Sequence, residues 1–254
     1  MLSEALTAEL FRTFLVFARL GAALMIVPGF GERYILTRQR LLLALLFSAL
    51  VAPLVAGAVP APPDEPGRIA ALVGGEVLIG LFLGAVTRFA MAVMHVAGTV
   101  VAYQSGLSAA ALFDPNEGTM GTLPGNFFAT TALVLMFAGD LHHLLLQALA
   151  ASYTRLPITG GLATEDALSL LVRLADGSFR TGVELAAPLV ITALLANLIL
   201  GLLSRLLPAL QLLTVMLPLQ LLLALILLLF MVATATAGFG RFLEASLAFL
   251  DTGG

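Results

Sequence analysis

The 254-residue chain contains no cysteine, which excludes disulfides, thiolate-ligated zinc and thiol nucleophiles in one step and leaves the redox compartment open. Lysine is absent too. All twelve basic residues are arginine, a compositional bias that only weakly asks for fork-shaped donors. Charge of either sign is scarce, at 11% of residues, where a soluble domain carries about a quarter. A typical soluble domain is thereby excluded. The net charge of −3 gives no reason to expect nucleic acid. No basic stretch opens the chain, since Glu4 and Glu9 precede the first arginine, so no cleavable leader is expected. The chain also has no HExxH helix, which removes the commonest local zinc-hydrolase signature.

What remains is apolar: 60% of residues and a positive mean hydropathy. A bilayer core of about 30 Å takes roughly 20 apolar residues per helix, and charge-free runs occur at Leu41–Pro63, Gly118–Gly139, Leu185–Ser204 and Leu206–Gly240. The composition predicts an all-α integral membrane protein. The last run extends about 52 Å as one helix, too long for a simple perpendicular span, and Pro208 and Pro218 are the natural places to divide it. Arginines stand between most segments, so the positive-inside rule assigns no orientation.

One stretch resists this description. Tyr103 to Gly125 contains Gly106, Gly118, Gly121, Gly125, Pro115 and Pro124, which rule out a regular helix through most of it. It also contains Leu107, Leu112, Phe113, Met120 and Leu123, too many apolar side chains for a loop lying freely in water. Irregular backbone at membrane depth survives only where protein buries it or where it lines a wet cavity. The expectation is a covered loop in the path through a multi-helix assembly.

Around it, ionisable residues inside apolar runs are the informative positions. Arg12 and Arg19 share a helix face, with Arg12 near an interface and Arg19 deep enough to need a protein partner. Pro28 and Gly29 end that helix, and a second runs from Leu41 to about Val59, kinked by Pro53. After the Pro60–Gly67 loop, Glu76 lies among Gly74, Gly75, Gly80 and Gly84. The last two form a small-xxx-small pair for close helix packing. Glu76 must face protein or water, paired with an arginine or carrying a proton. His95 reads as a packing histidine.

The Gly139–His143 run GDLHH interrupts the next helix. Asp140 and His143 share a face at i, i+3 while His142 is expected to point elsewhere, so no metal site or catalytic site is expected. An amphipathic helix is predicted over Leu162–Phe179, a further helix over Thr181–Leu207, and a last one over Leu219–Thr234 before Gly238 and a short tail. Gln211, Thr214 and Gln220 suit helix–helix or subunit contacts.

The ordered set Gln104-Ser-Gly-Leu-Ser108, Phe113-Asp114-Pro115 with Gly118, then Gly139, His142, Ser152-Tyr153, Leu156-Pro157, and finally Gly201-Leu-Leu-Ser-Arg205-Leu-Leu-Pro208 with Pro218 resembles the FliR family. This is the R-type subunit of the flagellar type III export gate, with SctT-type proteins as the injectisome branch. The resemblance covers nearly the whole chain. It departs in lacking a proline near Ile35 and in carrying Pro208-Ala209 and Met216-Leu217-Pro218 where the family has Pro-Gln and Gly-Phe-Pro. The Asp114-Pro115 pair leans to the flagellar branch.

The resemblance implies long bent helical hairpins in a staggered helical assembly. Residues 1–180 would form a P-like part holding the loop 103–125, and residues 181–254 a Q-like hairpin. Its partners would be P-type and Q-type subunits (FliP, FliQ), FlhB-type and FlhA-type export proteins and the basal-body ring in the bacterial inner membrane. Unfolded rod, hook and filament proteins would be the cargo, with no catalysis and no cofactor in this chain. Gly106, Leu107, Leu112, Phe113, Asp114, Pro115, Gly118 and Met120 map onto the channel plug. Arg19, Glu76, Gly80, Gly84, Gln104, Arg205 and Gln211 are the candidate buried polar and packing positions. A small-molecule secondary transporter is the reading from another class; it lacks a detectable repeat of the two halves.

Overall fold

The computed structural model describes residues 2–32, 34–105, 122–158, 160, 164–206 and 212–251. Among these residues the regular structure is helical, with no strand. Helix α1 spans Leu2–Leu24 and ends before Pro28 and Gly29, the latter at φ 84°, a left-handed turn that glycine enters without strain. Helix α2, Thr37–Val51, packs against α1. It was expected to run to Val59 with a kink, but Pro53 ends it, and a single 3-10 turn follows at Ala56–Ala58. The missing N–H of proline makes this the cheapest place to stop.

Helix α3, Pro66–Ser105, has 40 residues and opens on a proline, whose missing N–H is one of the unpaired donors of a first turn in any case. Helix α4, Leu123–Ala138, is capped by Thr122, whose hydroxyl accepts from the Gly125 N–H at 3.2 Å. Helix α5 is Leu141–Arg155. Helices α6, Thr164–Leu206, and α7, Leu212–Asp251, have 43 and 40 residues.

The last two correct the sequence reading. The separate helices predicted over 162–179 and 181–207 are one, with Pro188 inside it, and α7 continues past both Pro218 and Gly238, bending by 53° between Leu221–Leu229 and Thr234–Ala248. In apolar surroundings a broken helix leaves backbone groups with no water to bond, so continuing through an unfavourable residue is cheaper than stopping. Gly238 is also filled from outside: a Cβ there would lie 3.1 Å from the Leu185 side chain.

Stretches of α3 and α6 are long and apolar enough to cross a membrane, and two further helix pairs qualify if each is counted as one broken span. At 40 residues α3 extends about 60 Å, roughly twice a bilayer core. The chain forms two compact units. One comprises Met1–Phe89, Asp140–Leu174 and Leu243–Gly254, with a core that includes Leu15, Leu20, Leu24, Ile79, Leu83 and Leu149. The other comprises Ala90–Gly139 and Ala175–Phe242, with Met94, Phe128, Met136, Leu189 and Phe239 buried.

Candidate functional site

In the first unit, one polar cluster is sealed inside the apolar core. Arg19 from α1 is 0% exposed and Glu76 from α3 is 1% exposed. The guanidinium donates through Nε to Glu76 Oε2 at 2.8 Å and through Nη2 to Glu76 Oε1 at 2.9 Å, the bidentate fork that only arginine can offer. Two further donations leave that pair. Nη1 reaches Ser152 Oγ at 3.2 Å and Nη2 reaches the Leu156 carbonyl at 2.8 Å, both from the end of α5 and the residues after it.

The Tyr153 ring lies 4.0 Å from the guanidinium carbon, and its hydroxyl donates back to the Val16 carbonyl on α1 at 3.4 Å. One cation meets one anion, so no net charge is buried. The cluster ties α1, α3 and the end of α5 together at one depth.

The same face of α3 continues as a groove. Gly80 and Gly84 follow Glu76 at four and eight residues, one above another on the helix. A Cβ at Gly80 would run into the Arg19 carbonyl oxygen and come within 2.9 Å of Ala22 Cβ. One at Gly84 would meet Ile26 Cβ at 2.7 Å and the Ala23 carbonyl at 3.1 Å. Helix α1 therefore rests on bare α3 backbone beside the ion pair, whereas Gly74 and Gly75 face open space.

In the second unit, α3 and α4 make a comparable approach. A Cβ on Gly98 would come within 2.5 Å of Gly125 Cα and 2.6 Å of the Pro124 carbonyl. A Cβ on Gly125 would lie 3.4 Å from the His95 ring. Gly98 lies about two turns before the end of α3 at Ser105, and Gly125 lies in the first turn of α4 after Thr122.

Residues 106–121 themselves lie outside the described residues, and with them Gly106, Leu107, Leu112, Phe113, Asp114, Pro115, Gly118 and Met120. So do Gln211 and the side chain of Arg205, while Gln104 is half-buried. Sequence reasoning overlooked Ser152, the Leu156 carbonyl and the Gly98–Gly125 contact. A hydroxyl and a backbone carbonyl leave no mark in a hydropathy pattern, although the Ser152-Tyr153 pair had been singled out.

One local expectation is overturned. His142 does not point away from Asp140 and His143: donor atoms of all three lie within 4.8 Å of one another. The expectation assumed a regular helix, but the chain breaks here, with Asp140 at φ 57° in the left-handed region.

By class this is an all-α, membrane-embedded protein in which, among the described residues, a buried polar cluster joins α1, α3 and the end of α5 and bare glycines bring helix backbones together. Residues 10–246 match the family model described as bacterial export proteins, family 1. The chain is 40% identical over 205 residues to the flagellar biosynthetic protein FliR of Caulobacter vibrioides, covering 81% of this chain and 82% of that protein. It is 30% identical over 220 residues to FliR of Bacillus subtilis, covering 84% and 83%. Similarity extends to Yop proteins translocation protein T of Yersinia pestis, at 26% identity over 228 residues. The chain belongs to the FliR family of bacterial export proteins.

Proposed function

We propose that this chain is the R-type subunit of a flagellar type III export gate, part of the channel that passes unfolded rod, hook and filament proteins across the bacterial inner membrane within the basal body. The observation that carries the reading is the family match over residues 10–246, which takes in both compact units and the central stretch between α3 and α4. The 40% identity to FliR of Caulobacter vibrioides, against 26% to the Yop translocation protein, favours the flagellar over the injectisome branch.

On this reading residues 1–180 are the P-like part, residues 181–254 the Q-like hairpin, and the loop 103–125 closes the resting channel. The partners are P-type and Q-type subunits (FliP, FliQ), FlhB-type and FlhA-type export proteins and the basal-body ring. The chain itself catalyses nothing; ATPase and proton-motive machinery in other subunits drive export. Exposed apolar rows support burial against such neighbours. On α2 they include Leu42, Leu46 and Leu50, and on α6 Leu194, Leu198 and Leu202, each row at a four-residue spacing and each residue at least 60% exposed.

Deleting the gene in its own bacterium tests the reading. Swimming and the appearance of hook and filament proteins in the medium should both be lost and restored by the intact chain. Normal export in the deletion strain would refute it. Co-purification with P-type and Q-type subunits should give a stable complex, whereas a stable monomer with small-molecule uptake would favour a secondary transporter.

A further inference from the structure

Asp140, His142 and His143 stand together at the start of α5, apart from the Arg19–Glu76 cluster. On a regular helix, neighbouring residues point about 100° apart, given 3.6 residues per turn. Here the two imidazoles lie side by side, ring centroids 4.0 Å apart and tilted by 36°. The backbone makes this possible. Asp140 is the only non-glycine residue at positive φ among the described residues, and the His143 N–H donates to its carbonyl at 3.0 Å, closing a turn that faces the three side chains the same way.

Asp140 is also an unusual cap. An aspartate at an N-cap ordinarily accepts from the first-turn N–H groups, but this one makes no capping bond. Its Oδ1 lies instead 3.4 Å from His143 Nδ1. Donors on a tetrahedral ion at about 2.0 to 2.2 Å stand roughly 3.4 Å apart, so this pair already has the spacing of two ligands. The third donor is within 4.8 Å. Asp140 and His143 are 79% and 61% exposed, so their side chains have room to turn toward the half-buried His142.

We propose that Asp140, His142 and His143 bind one zinc-class divalent ion. Two imidazoles and a carboxylate suit borderline divalent metals, and a chain without cysteine offers no thiolate to select softer ones. Three protein donors leave one coordination position open, filled by water. The site stands on the α5 geometry alone and does not depend on the export reading.

Zinc binding by the full-length chain, purified in its complex through a tag free of histidine and stripped with chelator, tests the site. Calorimetry should give one zinc per chain, and cobalt should produce the visible absorption of a low-symmetry site. His142→Ala, His143→Ala and Asp140→Gly should each weaken zinc at least tenfold. The glycine variant keeps the left-handed backbone while removing the carboxylate. His95→Ala, which changes the only other histidine, should leave affinity unaltered. Absence of saturable binding, or retained affinity in a His142→Ala/His143→Ala double variant of normal helicity, would overturn the proposal.

Discussion

At the scale of single residues the fold turns on Arg19. Removing either partner of a buried ion pair strands the other charge, which typically costs about 3 to 5 kcal/mol, a large part of the roughly 5 to 15 kcal/mol that holds a domain folded. Arg19→Leu and Glu76→Leu should therefore cut the yield of assembled complex severely. Secretion per surviving complex should stay close to the parent, because the pair is internal to one unit. Arg19→Lys should fall between, keeping the charge but losing the fork and the tyrosine stacking. The double change Arg19→Met with Glu76→Leu should recover part of the yield. Immunoblotting complex and exported protein side by side separates these outcomes, and normal yield with lost secretion would place the pair in transport.

Arg19 and Glu76 were legible in the sequence because an ionised group in an apolar run has no inexpensive solution except a partner. Their further partners were not. Ser152 is an ordinary small residue, and the Leu156 carbonyl has no side-chain signature at all. His142 was misread for another reason: the side-chain directions of a regular helix were applied across a break whose left-handed residue, Asp140, carries no glycine-like signal.

At the scale of elements, helix identity came through more clearly than helix length. Apolar periodicity marked α1, α3, α4 and α5, but α6 was divided near residue 180 and the last helix was bounded by Pro218 and Gly238, because proline and glycine propensities and polar side chains were weighed as if water could satisfy an opened backbone. The close contacts give sharper predictions. Gly80→Leu and Gly84→Val should impair assembly, since the obstructing atoms include α1 backbone that cannot rotate aside. Gly98→Val should be at least as damaging, meeting Gly125 Cα and the Pro124 carbonyl. Gly74→Ala faces open space and should be neutral or stabilise by up to about 1 kcal/mol through helix propensity. Thermal unfolding of the purified complexes ranks the four, and equal effects at Gly74 and Gly98 would argue against a backbone crossing at α3 and α4.

At the scale of the whole molecule, helices of 40 and 43 residues exceed what a bilayer core accommodates upright, and their exposed leucine rows ask for neighbours. On the proposed export reading such a chain gains order from assembly, and the apolar, glycine- and proline-rich sequence between α3 and α4 would be enclosed by other chains. The Gly98–Gly125 crossing fixes the spacing of the two ends of that stretch, so shortening it acts on what lies between rather than on the scaffold. If the proposed channel role holds, deleting Ala109–Asn116 should leave complex yield near normal and raise small-ion leak across the membrane, because the apolar side chains removed would exclude water from a closed path. Ion flux or membrane potential in cells expressing the deletion, compared with cells lacking the complex, measures this. A normal complex with unchanged conductance would move the seal to another subunit.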